Sequence, residues 1–173
     1  MGPTYHFRPA TDADLPTLRR WRETPDVLPW WGAWQHPEAE FCAHLADPAM
    51  AMWIVSVGGR PFAFLQDYAC HAWDSHPFAY LPPASRGTDM YIGEPDMLNC
   101  GHGTALLRQH CERLFGEGAP AIGTDPHPDN LRARRAYEKA GFAVVSDPVE
   151  TRWGRAVLME RWPTQSPNGE RAR

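Results

Sequence analysis

The chain has 173 residues, a length that suits one domain with a hydrophobic core of its own. It is 43% hydrophobic and contains eight tryptophans, a composition that excludes an intrinsically disordered protein. Its net charge of -4 argues against nucleic acid as the partner, because phosphate binding needs clustered basic residues, and leaves room for a cationic ligand.

The sequence contains no apolar run long enough to span a bilayer, and its first residues lack the apolar core of a secretory signal. The four cysteines form neither a CxxC pair nor a regular framework, which favours reduced thiols. We therefore expect a cytoplasmic protein that has no membrane partner.

The first elements in the chain are predicted to be a strand and a helix. TYHFRP has the composition of a short strand, and ATDADLPTLRRW follows it with helical spacing. Thr11 stands where a helix N-cap is expected, with Asp14 three residues later as a weaker form of the capping box. Leu15, Leu18 and Trp21 then give the helix one apolar face.

The next segments predict a helix, a hairpin and a long loop. HPEAEFCAHLADP indicates a second short helix with Phe41 and Leu45 facing inward. AMWIVSV and RPFAFLQDY are apolar runs joined by GGR, which is typical of a β-hairpin. Residues 69–85 combine prolines and aromatics without a period, and a loop of that length in a compact domain usually has a function or is mobile.

The second half alternates strands and helices. TDMYIG and AIGTDP predict strands, NCGHGTALL opens a helix from near Thr104 to about Phe115, and DNLRARRAYEKAGF predicts another helix. AVVSDP and GRAVLMERW predict a closing antiparallel pair. The pattern indicates an α/β or α+β sheet with helices on both faces. We expect a single domain over residues 1–163 and a polar, frayed tail over 164–173.

The glycine-rich segment from Asn99 to Leu107 raises the first functional prediction. Gly101 and Gly103 permit positive φ and leave no Cβ in the way of a ligand, and the helix after them begins with unpaired N–H groups. Together they suit a pyrophosphate, although a flexible turn has the same composition. Leu106 occupies the place of the third Rossmann glycine and no Gly-Lys pair is present, so neither common nucleotide loop fits.

With the following TDPHPDNLRARRAYEKAGF, the stretch from Thr88 to Phe142 resembles the acyl-coenzyme A motifs of the GNAT superfamily of N-acetyltransferases. WWG, QDY and RGTD occur in the same order as in its aminoglycoside 6′-N-acetyltransferase subgroup, so the resemblance runs from about Asp26 to Trp162. It implies a mixed, mostly antiparallel sheet whose strands splay at its middle. Leu98 departs from the pattern, because the family often has Gln or Arg there.

The resemblance implies roles for residues on the acetyl-coenzyme A (acetyl-CoA) side. The backbone N–H groups near Met90 and Tyr91 would hold the acetyl carbonyl, Asn130 would reach the pantetheine arm, and Tyr137 would donate a proton to the leaving thiolate. The loop and helix start would bind the rest of the coenzyme through Leu98, Asn99, Cys100, Gly101, His102, Gly103 and Thr104.

The resemblance also implies an amine-binding side. Asp89 would anchor the amine first and act as a base second, because a paired carboxylate is a poor base and a good anchor. The other residues expected to contact the amine substrate are Trp31, Gln66, Tyr68, Asp74 and Asp125, of which Asp74 lies in the segment that fits the subgroup least well.

Three further groups of residues could have other chemical roles. His71, Asp74 and His76 could converge on a metal, but their spacing matches no strong zinc signature, and we expect no metal. Cys100 at a helix start could be an acyl-accepting nucleophile, but no His-Asp partner accompanies it. Tryptophans 30, 31 and 73 suit either a core or stacking on a sugar ring.

The predicted function is transfer of acetyl from acetyl-CoA to a primary amine by direct attack, with the 6′-amine of an aminoglycoside, and hence antibiotic resistance, as the favoured case. A siderophore precursor or another small polyamine is the alternative substrate. A coenzyme-binding protein without turnover is the alternative from another class. Monomer and homodimer both remain open.

Overall fold

A computed structural model describes residues 2–164. Seven strands form one mixed sheet and two more form a separate hairpin. The strands are β1 (Tyr5–Pro9), β2 (Met50–Val57), β3 (Arg60–Ala69), β4 (Arg86–Ile92), β5 (Ile122–Thr124), β6 (Ala143–Val144), β7 (Val149–Thr151), β8 (Gly154–Ala156) and β9 (Met159–Arg161). The helices are α1 (Leu15–Arg22), α2 (Leu28–Trp31), α3 (Pro37–Ala46), α4 (His102–Gly116) and α5 (Leu131–Lys139).

The main sheet has the order β1-β2-β3-β4-β5-β9-β6, and every adjacent pair except β4–β5 is antiparallel. The predicted β2–β3 hairpin is confirmed, and Gly58 and Gly59 make its turn with φ of 57° and 79°. The capping box of Thr11 and Asp14 is present at a 3₁₀ turn that leads into α1.

The parallel strands β4 and β5 separate almost as soon as they meet. They pair only through Arg86 with Ile122 and Gly87 with Gly123, whereas β4 continues to Ile92. The splayed, mostly antiparallel sheet expected from the sequence is therefore confirmed. The divergence opens a cleft in the middle of the sheet.

Helices cover both faces of the sheet, as predicted. One buried cluster joins Leu18 and Trp21 of α1 and Phe41 of α3 to the sheet, and the other joins α4 and α5 to it. The inward prediction is confirmed for Phe41 and wrong for Leu45, which is 37% exposed. Since α3 ends one residue later, Leu45 stands at the edge of the packing rather than within it.

Two segments differ from the predicted elements. GRAVLMERW is not one strand, because β8 pairs with β7 while β9 enters the main sheet between β5 and β6. Val157 between them donates its N–H to the Pro126 carbonyl, which breaks the strand. Trp30 and Trp31 lie on the short helix α2, an element that the sequence did not predict.

No helix within residues 2–164 is both long and apolar enough to cross a membrane. Of the tail predicted at 164–173, only Thr164 belongs to the part of the chain that the structure describes.

Candidate active site

Two cavities meet at the cleft between β4 and β5. The larger has a volume of about 500 Å³ and the smaller about 370 Å³. A molecule bound in one can therefore present a reactive group to the other. The residues that line both are Trp30, Trp31, Met90, Tyr91, Asn130 and Ala133.

The smaller cavity is bordered by the glycine loop and the start of α4. Asn99 and Gly101 both take left-handed backbone conformations, with φ of 57° and 82°. The turn they make brings the unpaired N–H groups of the first helical turn to the cavity, an arrangement that binds a phosphate or pyrophosphate. Leu98, Gly103 and Thr104 also line it, so the structure brings most of the predicted loop residues together.

Two of the loop residues direct their side chains elsewhere. The Cys100 thiol lies 3.2 Å from the Leu98 carbonyl oxygen, with which it is placed to hydrogen bond, and His102 Nδ1 lies 2.8 Å from the Tyr5 hydroxyl. Neither lines the smaller cavity. Contact of Cys100 and His102 with the coenzyme stays a prediction, and it would involve their backbone N–H groups rather than their side chains.

Sequence reasoning missed a set of cations on α5. Arg132, Arg135 and Lys139 line the smaller cavity, and Arg132 also pairs with Asp26 at 2.8 Å. Their spacing of three and four residues places them on one helical face, and this signal was readable in DNLRARRAYEK. The cavity therefore offers both backbone donors and side-chain cations to an anion.

Asn130 holds the start of α5 beside both cavities. Its side-chain oxygen accepts a hydrogen bond from the Ala133 N–H at 3.1 Å, which caps the helix. The amide NH₂ of the same side chain is not used by the cap. Asn130 is thus a structural cap whose remaining donors suit the contact with a ligand that the sequence predicted.

Tyr137 on α5 is buried and lines the larger cavity. Burial raises the pKa of its phenol and the nearby Asp89 carboxylate raises it further, while the Thr124 side chain and, less strongly, the Met90 backbone act in the opposite direction. The hydroxyl therefore keeps its proton at neutral pH and is available as a donor.

Asp89 on β4 and Asp125 directly after β5 both line the larger cavity and interact electrostatically. Burial raises the pKa of Asp89 to about 6, although Gln66, which donates Nε2 to Oδ2 at 3.1 Å, and Tyr68 favour its charged form. Burial raises the pKa of Asp125 as well, and the Asp89 charge adds to the shift. Within residues 2–164 neither carboxylate has an ion-pair partner, and the pair would be stabilised by a bound cation.

The sequence left open whether tryptophans 30, 31 and 73 pack in the core or line a ligand site, and the structure shows features of both. Trp31 packs edge-on against Tyr91, with ring centroids 4.9 Å apart, and also lines both cavities. Trp30 is 38% exposed. Trp73 packs against Tyr68 at 5.7 Å and lines the larger cavity.

The long loop does not bring its polar residues together. Asp74 is exposed and lines neither cavity, so the structure does not place it with Asp89 and Asp125. His71 is exposed with Nε2 3.1 Å from the Ala79 carbonyl oxygen, whereas His76 is buried. In the described part of the chain these three residues form no metal-binding group.

The outer wall of the larger cavity is the β7–β8 hairpin, which sequence reasoning also missed. Trp153 at its tip lies against His76, with ring centroids 5.3 Å apart. Arg152 and Arg155 line the cavity beside it. TRWGR carried a readable turn signal, since Gly154 takes φ of 118° there, but nothing in the sequence indicated which site the turn would reach.

Comparison with protein families gives a match over most of the chain. A family model described as acetyltransferase (GNAT) domain matches residues 10–148. Aminoglycoside N(6′)-acetyltransferase type 1 of Klebsiella pneumoniae is 33% identical over 162 residues, which cover 88% of this chain and 80% of the relative.

Solved structures of aminoglycoside acetyltransferase AAC(6′)-Ib have the same fold. The complex with ribostamycin and coenzyme A has a TM-score of 0.84 at 30% identity, covering 95% of this chain and 99% of that chain. The complex with coenzyme A and kanamycin has a TM-score of 0.83 at 30% identity, covering 92% of this chain and 95% of that chain.

Proposed function

The chain belongs to the GNAT family of acetyltransferases, and we propose that it transfers the acetyl group of acetyl-CoA to the 6′-amine of an aminoglycoside. Its similarity to an N(6′)-acetyltransferase extends over nearly the whole chain rather than over the coenzyme motifs alone. Amine specificity is therefore the part of the proposal that needs support from the cavity itself.

The observation that carries this proposal is the pair Asp89 and Asp125. Two carboxylates without a described cationic partner lie in a cavity that meets the smaller one along a common wall. An ammonium group placed between them is attracted to both and comes within reach of a thioester in the neighbouring cavity. A polycationic amine matches this arrangement better than a neutral acceptor does.

On the coenzyme side, backbone N–H groups at the start of α4 would bind the pyrophosphate, while Arg135 and Lys139 would bind phosphate charge. Asn130 would use its free amide hydrogens on the pantetheine arm. Met90 would donate its backbone hydrogen bond to the acetyl carbonyl oxygen, where negative charge develops during attack. Alternation along β4 turns the Tyr91 N–H towards β3, so Tyr91 would border the acetyl group without donating to it.

Proton movements follow from the two sides of the cleft. The amine must lose a proton before it attacks, and Asp89, with its pKa raised to about 6, accepts one more readily than an ordinary carboxylate does. The new C–N bond forms as the C–S bond breaks, and Tyr137 gives its proton to the leaving thiolate. In this scheme Asp89 anchors the amine first and accepts its proton second.

The test is amine-dependent release of coenzyme A from acetyl-CoA by the purified full chain. Cys42 and Cys100 are exposed and would react with a thiol reagent, so the acetylated product should also be followed by mass spectrometry. Turnover of kanamycin with the product acetylated at the 6′-amine supports the proposal. Turnover restricted to hydroxylated lysine-type amines would identify the siderophore-precursor alternative, and coenzyme binding without turnover the non-catalytic one.

A further inference from the structure

The larger cavity carries charges of both signs in different places. Asp89 lies on β4, which also borders the smaller cavity, and Asp125 directly follows β5. Arg152 and Arg155 lie on the β7–β8 hairpin, which lines the larger cavity and contributes nothing to the smaller one. Carboxylates thus line the cleft side of the cavity and guanidinium groups line the hairpin side, while Arg22, Glu40 and Asp47 belong to neither side.

A series of side chains separates the two sides. Tyr68 lies beside Asp89, and its ring packs against His76 at 5.4 Å. His76 packs in turn against Trp153 at 5.3 Å. The hairpin tip is thus remote from the carboxylate at which the amine would react.

The two arginines differ in how far their charge is compensated. Arg152 is exposed, its guanidinium lies 4.6 Å from the centre of the Trp153 ring, and it forms no ion pair with any residue of 2–164. Arg155 approaches Glu150 at 4.0 Å, but both side chains are more than half exposed, and such pairs contribute little.

The positive charge of Arg152 on the hairpin affects the protonation of His76 in the cavity wall. Burial lowers the pKa of His76 to about 4, and Arg152 is the next largest cause. His76 is therefore neutral near pH 7, and this wall presents aromatic surface and two cations without a carboxylate among its cavity-lining residues.

We propose that Arg152 and Arg155 set substrate specificity by disfavouring an ammonium group, and favouring hydroxyl groups, on the part of the substrate farthest from the amine that is acetylated. This inference rests on the proposed function and concerns the same cavity. A guanidinium repels a second cation but donates hydrogen bonds to a hydroxyl oxygen. The preferred substrate is thus an aminoglycoside whose distal ring carries hydroxyls only.

A matched pair of substrates tests this inference. Kanamycin is compared with an analogue in which a hydroxyl replaces the amine of its third ring, so that the acetylated end is identical. We expect the wild-type chain to have a kcat/KM about fivefold higher for the hydroxyl analogue, since reversing one partly screened contact is worth a small factor. Arg152→Glu and Arg155→Glu should each remove this preference, whereas Arg152→Lys should retain it.

Arg19→Glu is the control for the change in net charge, because Arg19 is exposed on α1 and lines neither cavity. It should leave the substrate ratio unchanged. A wild-type preference for kanamycin, or a ratio that Arg152→Glu and Arg19→Glu alter equally, overturns this inference alone. Failure of the wild-type chain to acetylate either compound overturns the proposed function, and the inference falls with it.

Discussion

Tyr137 provides the sharpest test at the scale of single residues. Its buried hydroxyl holds its proton because burial and Asp89 disfavour the phenolate. Tyr137→Phe preserves the ring and removes the donor, so we expect kcat to fall about 100-fold while KM for both substrates changes little. Steady-state release of coenzyme A measures this. Tyr80→Phe is the matched control, since Tyr80 is exposed and lines neither cavity; equal rates for both variants would refute the acid role.

The role of Asp89 can be tested by the pH dependence of kcat/KM. Because its pKa is raised to about 6, the carboxylate is charged above that pH and becomes neutral below it. We expect kcat/KM for the amine to fall as pH drops through about 6, with the apparent midpoint belonging to the Asp89–Asp125 pair. Asp89→Asn should raise the amine KM strongly and shift this midpoint, because Asp125 then titrates without the Asp89 charge.

Coenzyme binding provides the contrast for Asp89. Titration calorimetry with coenzyme A should give the same Kd for wild type and Asp89→Asn, because the Asp89 side chain lines only the larger cavity. A variant that loses coenzyme affinity but keeps its amine KM would rule out the anchoring role. Asp74→Asn, at an exposed position outside both cavities, should behave as wild type in both measurements.

At the scale of elements, the packing of β3 against β4 depends on Gly87, the cross-strand partner of Tyr68. A Cβ at Gly87 would fall 2.1 Å from the Tyr68 ring, which itself supports Asp89. Gly87→Ala should therefore lower the free energy of unfolding by about 2 kcal/mol and raise the amine KM, because the ring must move. Gly116→Ala, where the added Cβ meets open space, is the control; thermal unfolding and kinetics of the two variants compare them directly.

Local turn chemistry explains which elements could be predicted. Gly58, Gly59 and Gly101 are glycines at positions of positive φ, which is typical of turns. The β2–β3 hairpin and the loop before α4 could therefore be predicted from the sequence alone. Helix α2 was missed because its four residues are too few to show a period. The β8–β9 break was missed because a distant carbonyl, that of Pro126, produces it.

The site was predictable only as far as its residues belong to motifs. Asp89 and Asp125 are separated by a helix and meet because β4 and β5 diverge, a relation that the family resemblance supplied and spacing alone does not contain. Asp74 shows the converse. Its loop is positioned by the burial of Phe78 and Leu81, and this packing leaves Asp74 in solvent.

At the scale of the whole molecule, the net charge of the chain does not predict the sign of the charges that line each cavity. The chain carries -4, yet the smaller cavity is lined by Arg132, Arg135 and Lys139. We expect the Kd for coenzyme A to rise with ionic strength, and Arg135→Gln to weaken binding and reduce that dependence. Arg19→Gln removes the same charge from a surface outside both cavities. Equal coenzyme affinities in the two variants would show that Arg135 makes no phosphate contact.

The short pairing of β4 with β5 also affects the resistance of the protein to unfolding and proteolysis. Beyond Gly87 and Gly123 the two strands run apart, and a cosubstrate with amides along its arm can occupy the gap as a surrogate strand. Binding of this kind favours the native state by mass action. Backbone hydrogens of residues 88–92 should then exchange with deuterium more slowly, and proteases should cut the chain less often. A cell short of acetyl-CoA would lose enzyme copies as well as turnover.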